Sequence, residues 1–219
     1  TMPWHPSPPP TGHGMPRRLL QLYLGLIAYG VSMVLMLQSQ LGLMPWDVLH
    51  QGLSLQSGWP MGRIAVVVGA LVLLAWIPIR QRPGLGTVSN VIVIGLTFDA
   101  TLHLMGGAMT SLGMPARITL LLAGIVLNGF ATAAYIGAHF GPGPRDGLMT
   151  GLAQRTGASV RVVRTLIEGS VLLAGFLLGG TLGFGTLLYA ITIGPLIQAL
   201  LPWFDCPALT AAADSSVVP

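Results

Sequence analysis

Lysine is absent from this chain, cysteine occurs once, and aspartate and glutamate together number six. The single cysteine, Cys206, excludes an intrachain disulfide and any metal site built on paired cysteines. Charged residues make up 7% of the chain, against roughly 25% in a soluble domain. That is too little polar surface to cover a water-soluble globule. No glycine-rich loop ends in a lysine, so a phosphate-binding loop for ATP is excluded. No H-E-x-x-H or related histidine spacing occurs, and the five histidines are scattered. A nucleophile paired with a base is not visible either, and the expectation is that the protein is not an enzyme. No catalytic residue, cofactor or metal ligand is therefore assigned.

What the sequence has in abundance is apolar. Hydrophobic residues are 53% of the chain, and the mean hydropathy is +0.75. A lipid-facing exterior accepts such a surface, because acyl chains require no polar covering. The fold class expected is an all-α membrane protein with the lipid bilayer as its first partner. A span needs about 20 residues. Six runs approach or reach that length, at 19–39, 62–80, 86–105, 118–139, 162–180 and 185–203. Between them lie most of the glycine, proline and charge. Residues 1–16 are rich in proline and glycine and read as a disordered tail. The remainder divides into a first unit at 17–105, a linker at 106–116, a second unit at 117–203 and a C-terminal tail at 204–219.

The pI near 10.0 comes from ten arginines. They lie at the ends of apolar runs and are not clustered with aromatics, so they read as topology determinants and not as a nucleic-acid surface. With the N-terminus in the cytoplasm, Arg17, Arg18, Arg80, Arg82, Arg145, Arg155, Arg161 and Arg164 fall inside. Only Arg63 and Arg117 then fall outside. Both termini are expected on the cytoplasmic side.

Displacing the sequence by 99 residues lays it on itself without a gap. Pro45, Asp47, Leu49, Gly52, Leu53 and Gly58 meet Pro144, Asp146, Leu148, Gly151, Leu152 and Gly157. Gly84, Gly86 and Thr87 meet Gly183, Gly185 and Thr186, and Gly25, Gly30 and Gly42 meet Gly124, Gly129 and Gly141. Alignment of so many Gly, Pro, Asp and Thr is not the product of shared hydropathy. With three spans per unit, the two copies enter the membrane from opposite sides, as in many secondary transporters. If the segments near 44–57 and 143–156 crossed, each unit would have four spans and the repeats would be parallel. About 13 helical residues reach only about 20 Å, however, which favours half-helices or re-entrant elements.

Three features could carry chemistry. In P-x-D-x-L-x-x-G-L, proline suits a helix's first turn and aspartate lies at the positive end of its dipole. Either each aspartate serves only its own helix end, or Asp47 and Asp146 line a solute or ion path, which would then favour a cation or proton. In G-x-G-T, Thr87 and Thr186 either act as helix N-caps after a tight turn or leave backbone amides for a ligand. Ionisable and polar residues inside spans form the third set. Asp99, with Gln198 as its repeat mate, lacks a basic partner nearby except His103. Glu168 lies four residues after Arg164 and can pair with it. His50, one turn from Asp47, could form a proton relay with it or stand as a solvated loop histidine. Met33 and Met36 share a helix face, and packing explains that better than copper. Glycines 25, 30, 124 and 129 read as points of close helix contact.

The G-x-x-P-W-D-V-L-H-Q-G-L-S run at 42–54, P-G-L-G-T-V-x-N at 83–90, G-P-R-D-G-L at 143–148 and R-T-G-x-S-V-R-x-V-R at 155–164 resemble the YczE/YitT-type bacterial integral membrane proteins, in the YczE-like branch. The resemblance spans about residues 17–203. It implies a multi-pass protein of the bacterial cytoplasmic membrane and supplies no settled site residues. Two functions are open at this point. One is a small-solute transporter or exporter, proton- or cation-coupled, with an unidentified small molecule or ion as substrate. The other is a non-transporting accessory protein that scaffolds a membrane partner. A homodimer is compatible with either.

Overall fold

The computed structural model describes residues 14–105 and 112–205. The described residues form nine helical segments and no strand. Helix α1 (Met15–Ser39) is followed by the short α2 (Pro45–Ser57). Next come α3 (Met61–Leu74) and α4 (Trp76–Ile79), one apolar stretch interrupted at Ala75. After α5 (Leu85–Met105), the succession repeats with α6 (Met114–Gly137), α7 (Pro144–Thr156), α8 (Val160–Leu177) and α9 (Phe184–Phe204). Most of the expected tails and most of the expected linker lie outside the described residues. At their edges the helices reach further than the apolar runs suggested. Met15, Pro16 and Met114–Arg117 are helical, because proline in a first turn lacks only an N–H that the helix leaves unpaired anyway.

Among the described residues, five stretches are long and apolar enough to cross a bilayer: Met15–Ser39, Met61–Ile79, Leu85–Met105, Met114–Gly137 and Phe184–Phe204. Helix α8 has 18 residues but carries Arg161, Arg164 and Glu168, and this charge sets it apart from the five. The protein is a membrane protein whose described residues form helices and no strand.

Helices α1 and α6 form the centre and run antiparallel. Arg18, near the start of α1, donates from Nε and Nη2 to the carbonyl of Ala138, just past the end of α6 (3.1 and 2.9 Å). The glycines explain how closely the two helices approach. A Cβ on Gly25 would lie 3.0 Å from the Ala131 carbonyl oxygen, and one on Gly124 would lie 3.1 Å from that of Ser32. Gly30 admits α5 against α1, and Gly129 admits α9 against α6, as close-contact glycines should in lipid. Met33 and Met36 are buried in the core, along with Leu22, Leu26 and Phe98.

Positions 99 apart share unusual backbone. Gln40 and His139 both have φ of 56°, and Gly42 and Gly141 have φ of 131° and 116°. These residues turn the chain from α1 into α2 and from α6 into α7. Both turns are then held the same way. The amide of Gly185 donates to the Leu41 carbonyl (2.7 Å), and that of Gly86 donates to the Phe140 carbonyl (2.9 Å). The turn of each unit is thus pinned by the Gly-x-Gly-Thr segment of the other.

Candidate functional site

Helices α2 and α7 start for the same local reason. An extended residue, Met44 or Gly143, leads into a proline in the first turn, with an aspartate in third position. The turns before them return each chain toward the middle of the bundle. Tyr29, at mid-length of α1, places its hydroxyl 3.9 Å from the Met44 sulfur. As a result the two first turns meet. Arg145 Nη2 lies 4.0 Å from Asp47 Oδ1, and the Arg145 guanidinium stacks 4.9 Å from the centroid of the Trp46 ring. Trp46 and Arg145 are themselves repeat mates, so residues of equivalent origin touch each other here.

Asp47 is 1% exposed, as is His50. His50 Nδ1 lies 3.2 Å from Asp47 Oδ1, which makes His50 a buried partner of Asp47 and not a solvated loop residue. Asp47 Oδ2 and Trp46 Nε1 are buried without a hydrogen-bond partner among the described residues. Burying a charge in a bilayer costs at least about 2.5 kcal/mol, so a half-satisfied carboxylate here needs a functional or structural reason. Across the junction Asp146 is better served. Its Oδ2 accepts from the Tyr135 hydroxyl at 3.0 Å, and the rings of Tyr135 and Tyr29 meet edge to face at 6.4 Å. A third tyrosine, Tyr189, donates to Asn128 Oδ1 (3.0 Å), and Asn128 donates to Ser32 (2.9 Å).

Beside this junction lies a cavity of about 290 Å³. Its wall includes His50, Arg145 and Asp146 from the short helices, Glu168 from α8 and Gln198 from α9. Glu168 is paired with Arg164 at 3.0 Å, the i,i+4 contact anticipated from their spacing. The rest of the wall is largely apolar or aromatic, with Tyr29, Trp46, Tyr135 and Tyr189 among it.

The remaining sequence candidates sit elsewhere. Asp99 does not line the cavity. Its Oδ1 accepts the backbone N–H of Gly62 at 2.7 Å, at the start of α3. The basic partner considered for it, His103, is exposed, and the carboxylate instead caps a neighbouring helix. Thr87 and Thr186 are buried, at 0% and 3% exposure, and bind the opposite unit's turn. Thr87 donates to the Pro142 carbonyl (2.7 Å), and Thr186 accepts the amide of Leu43 (3.1 Å). They occupy the third helical position and not the N-cap itself. Each hydroxyl reaches back to accept the amide of Gly84 or Gly183.

Sequence reasoning passed over Arg145, Trp46, Tyr29, Tyr135 and Tyr189. For the first two a signal existed in the x of P-x-D, which is tryptophan in one copy and arginine in the other. The tyrosines carried no signal, since single aromatics in apolar helices are ordinary core or lipid contacts.

A family of unknown function, DUF6198, matches residues 16–202. An uncharacterised protein of Haemophilus influenzae is 42% identical over 180 residues, 82% of this chain and 81% of the relative. The uncharacterised membrane protein YczE of Bacillus subtilis is 33% identical over 178 residues, 81% of each chain. The uncharacterised protein YyaS of the same organism is 26% identical over 180 residues, 82% of this chain and 90% of its own. No solved structure matches.

Proposed function

The chain belongs to this family of unknown function, and for it we propose a small-solute transporter of the bacterial cytoplasmic membrane, driven by a proton or cation gradient and without catalytic activity of its own. The observation that carries the reading is the meeting of two buried half-helix starts at Asp47 and Arg145, beside a cavity walled by both halves of the chain. Half-helices converging at mid-depth on a shared cavity are the binding architecture of many secondary transporters.

The arrangement needed is an inverted repeat. Helix α8 supplies the sixth span, despite its charge, as the counterpart of α3 and α4. Each unit then crosses three times, and the two enter from opposite faces. Arg145 lies in the interior, so it leaves the topology count. Seven arginines remain against Arg63 and Arg117, which still favours cytoplasmic termini. The cavity wall carries two carboxylates (Asp146 and Glu168) and two guanidiniums (Arg145 and Arg164). Asp47, buried behind the wall beside Arg145, adds one carboxylate to this balanced set. A cation or a proton is the complementary charge.

The test is flux of protons and of a panel of cations into liposomes holding the purified protein. Asp47→Asn/Asp146→Asn should lower flux by at least about tenfold, the consequence of losing one charge-assisted contact worth about 1.5–3 kcal/mol. Wild-type protein that is folded yet moves nothing across a broad panel would refute the transporter and favour an accessory role with a membrane partner.

A further inference from the structure

The two halves differ at one interface. Helix α3 packs along α5, whereas its counterpart α8 makes at most marginal contact with α9 and packs instead on α2 and α7. The side chains account for the difference. On α3, Gly62 and Gly69 abut α5, and Ala65, at helical spacing between them, lines the cavity. A Cβ on Gly95 would lie 2.6 Å from the Gly62 carbonyl oxygen, and one on Gly69 would lie 3.0 Å from Val91. Displaced by 99 residues, those three small residues become Arg161, Arg164 and Glu168. Large charged side chains cannot seat in the same groove. On the far side of the gap, Gly194 is the mate of Gly95, and a Cβ there would meet nothing within 4 Å.

This unsealed seam leads to the cavity, since Arg164 and Glu168 from one side and Gly194, Ile197 and Gln198 from the other all line it. Both flanking helices turn apolar side chains outward. Leu166, Leu173, Phe176 and Leu177 on α8 and Leu187 and Ile191 on α9 are exposed. In a bilayer those surfaces face acyl chains. The seam therefore joins the hydrocarbon to a chamber walled by Trp46, Tyr29, Tyr135 and Tyr189, with Asp146 on its wall and Asp47 buried behind it beside Arg145.

We propose that the gap between α8 and α9 is a lateral portal, through which an amphipathic organic cation enters the cavity from the membrane. The inference rests on the transporter reading and specifies its substrate class. Aromatic faces attract a desolvated cation, Asp47 and Asp146 supply the opposing charge, and the Arg164–Glu168 pair stands at the threshold.

The probe is tetraphenylphosphonium, an apolar cation, compared with methylammonium, a small hydrophilic one, using full-length protein in liposomes. Gly194→Leu fills the seam where the backbone leaves open space, and the same helix already tolerates Leu201 directly before Pro202. Gln198→Trp, at an exposed position on the same wall, is a second way to fill it. Either variant should slow protein-dependent tetraphenylphosphonium uptake, measured above protein-free liposomes, about tenfold more than it slows methylammonium uptake. Equal loss for both cations, or no loss for either, would overturn the portal. Wild-type uptake of methylammonium without tetraphenylphosphonium would overturn the portal and leave the transporter intact. Wild-type uptake of neither would remove both.

Discussion

Asp47 shows how one residue's neighbours decide its role. Two aspartates occupy equivalent places in a duplicated motif, yet only Asp47 is sealed from solvent with an oxygen lacking a partner. Asp146 has the Tyr135 hydroxyl in hand. Single substitutions should therefore separate. Asp47→Asn should lose most of the flux, and Tyr135→Phe should alter it less, because Asp146 keeps its access to the cavity. A titration of flux against cation concentration for each single variant checks this ordering. Asp99 behaves differently. Its carboxylate caps the start of α3 through the Gly62 amide, so Asp99→Ala should destabilise the protein by about 0.5–2 kcal/mol, the usual worth of such a cap. Flux by the molecules that remain folded should be unchanged. Thermal unfolding in detergent, paired with flux per folded molecule, distinguishes that outcome from a residue on the path. Asp99 drew attention as an ionised group alone on an apolar helix. Its partner is a backbone amide 37 residues earlier, which no side-chain spacing reveals.

The elements were legible to unequal degrees. The long apolar runs, bounded by Gly and Pro, placed the helices within a few residues, since lipid demands continuous backbone hydrogen bonding wherever the chain is apolar. The short α2 and α7 were visible through the proline–aspartate start they share. What the sequence concealed was contact between elements: that Arg145 would turn inward to stack on Trp46, and that α8 would stand off from α9. The second was encoded, in the exchange of Gly62, Ala65 and Gly69 for Arg161, Arg164 and Glu168, but only knowledge of the α3–α5 face shows why that exchange matters. The two seams should respond oppositely to bulk. Gly95→Leu forces a side chain into the Gly62 backbone and should cost about 1–3 kcal/mol or more, as overpacked sites do. Gly194→Leu should cost less than about 0.5 kcal/mol, as at sites free of packing constraints. Unfolding midpoints of the two variants, measured side by side, test the asymmetry without any transport assay.

For the molecule as a whole, the duplicated turns cross-brace the two units. Gly185 binds the turn at Leu41, Gly86 binds the turn at Phe140, and each threonine secures the connection leading into the other unit's half-helix. Neither unit builds its half of the centre alone. This reciprocity suits a site whose two walls belong to different repeats, and the proposed transporter requires the units to lie inverted about that site. Sidedness is the most direct measure of that requirement. Ser57 and Thr156 are repeat mates at the exposed ends of α2 and α7. With Cys206 replaced by serine, Ser57→Cys and Thr156→Cys can each be challenged by a membrane-impermeant maleimide in intact cells and in inverted vesicles. The inverted arrangement predicts labelling of Ser57→Cys from outside the cell and of Thr156→Cys from the cytoplasmic side only. Labelling of both from the same side would contradict it, and with it the placing of a shared site between the two halves.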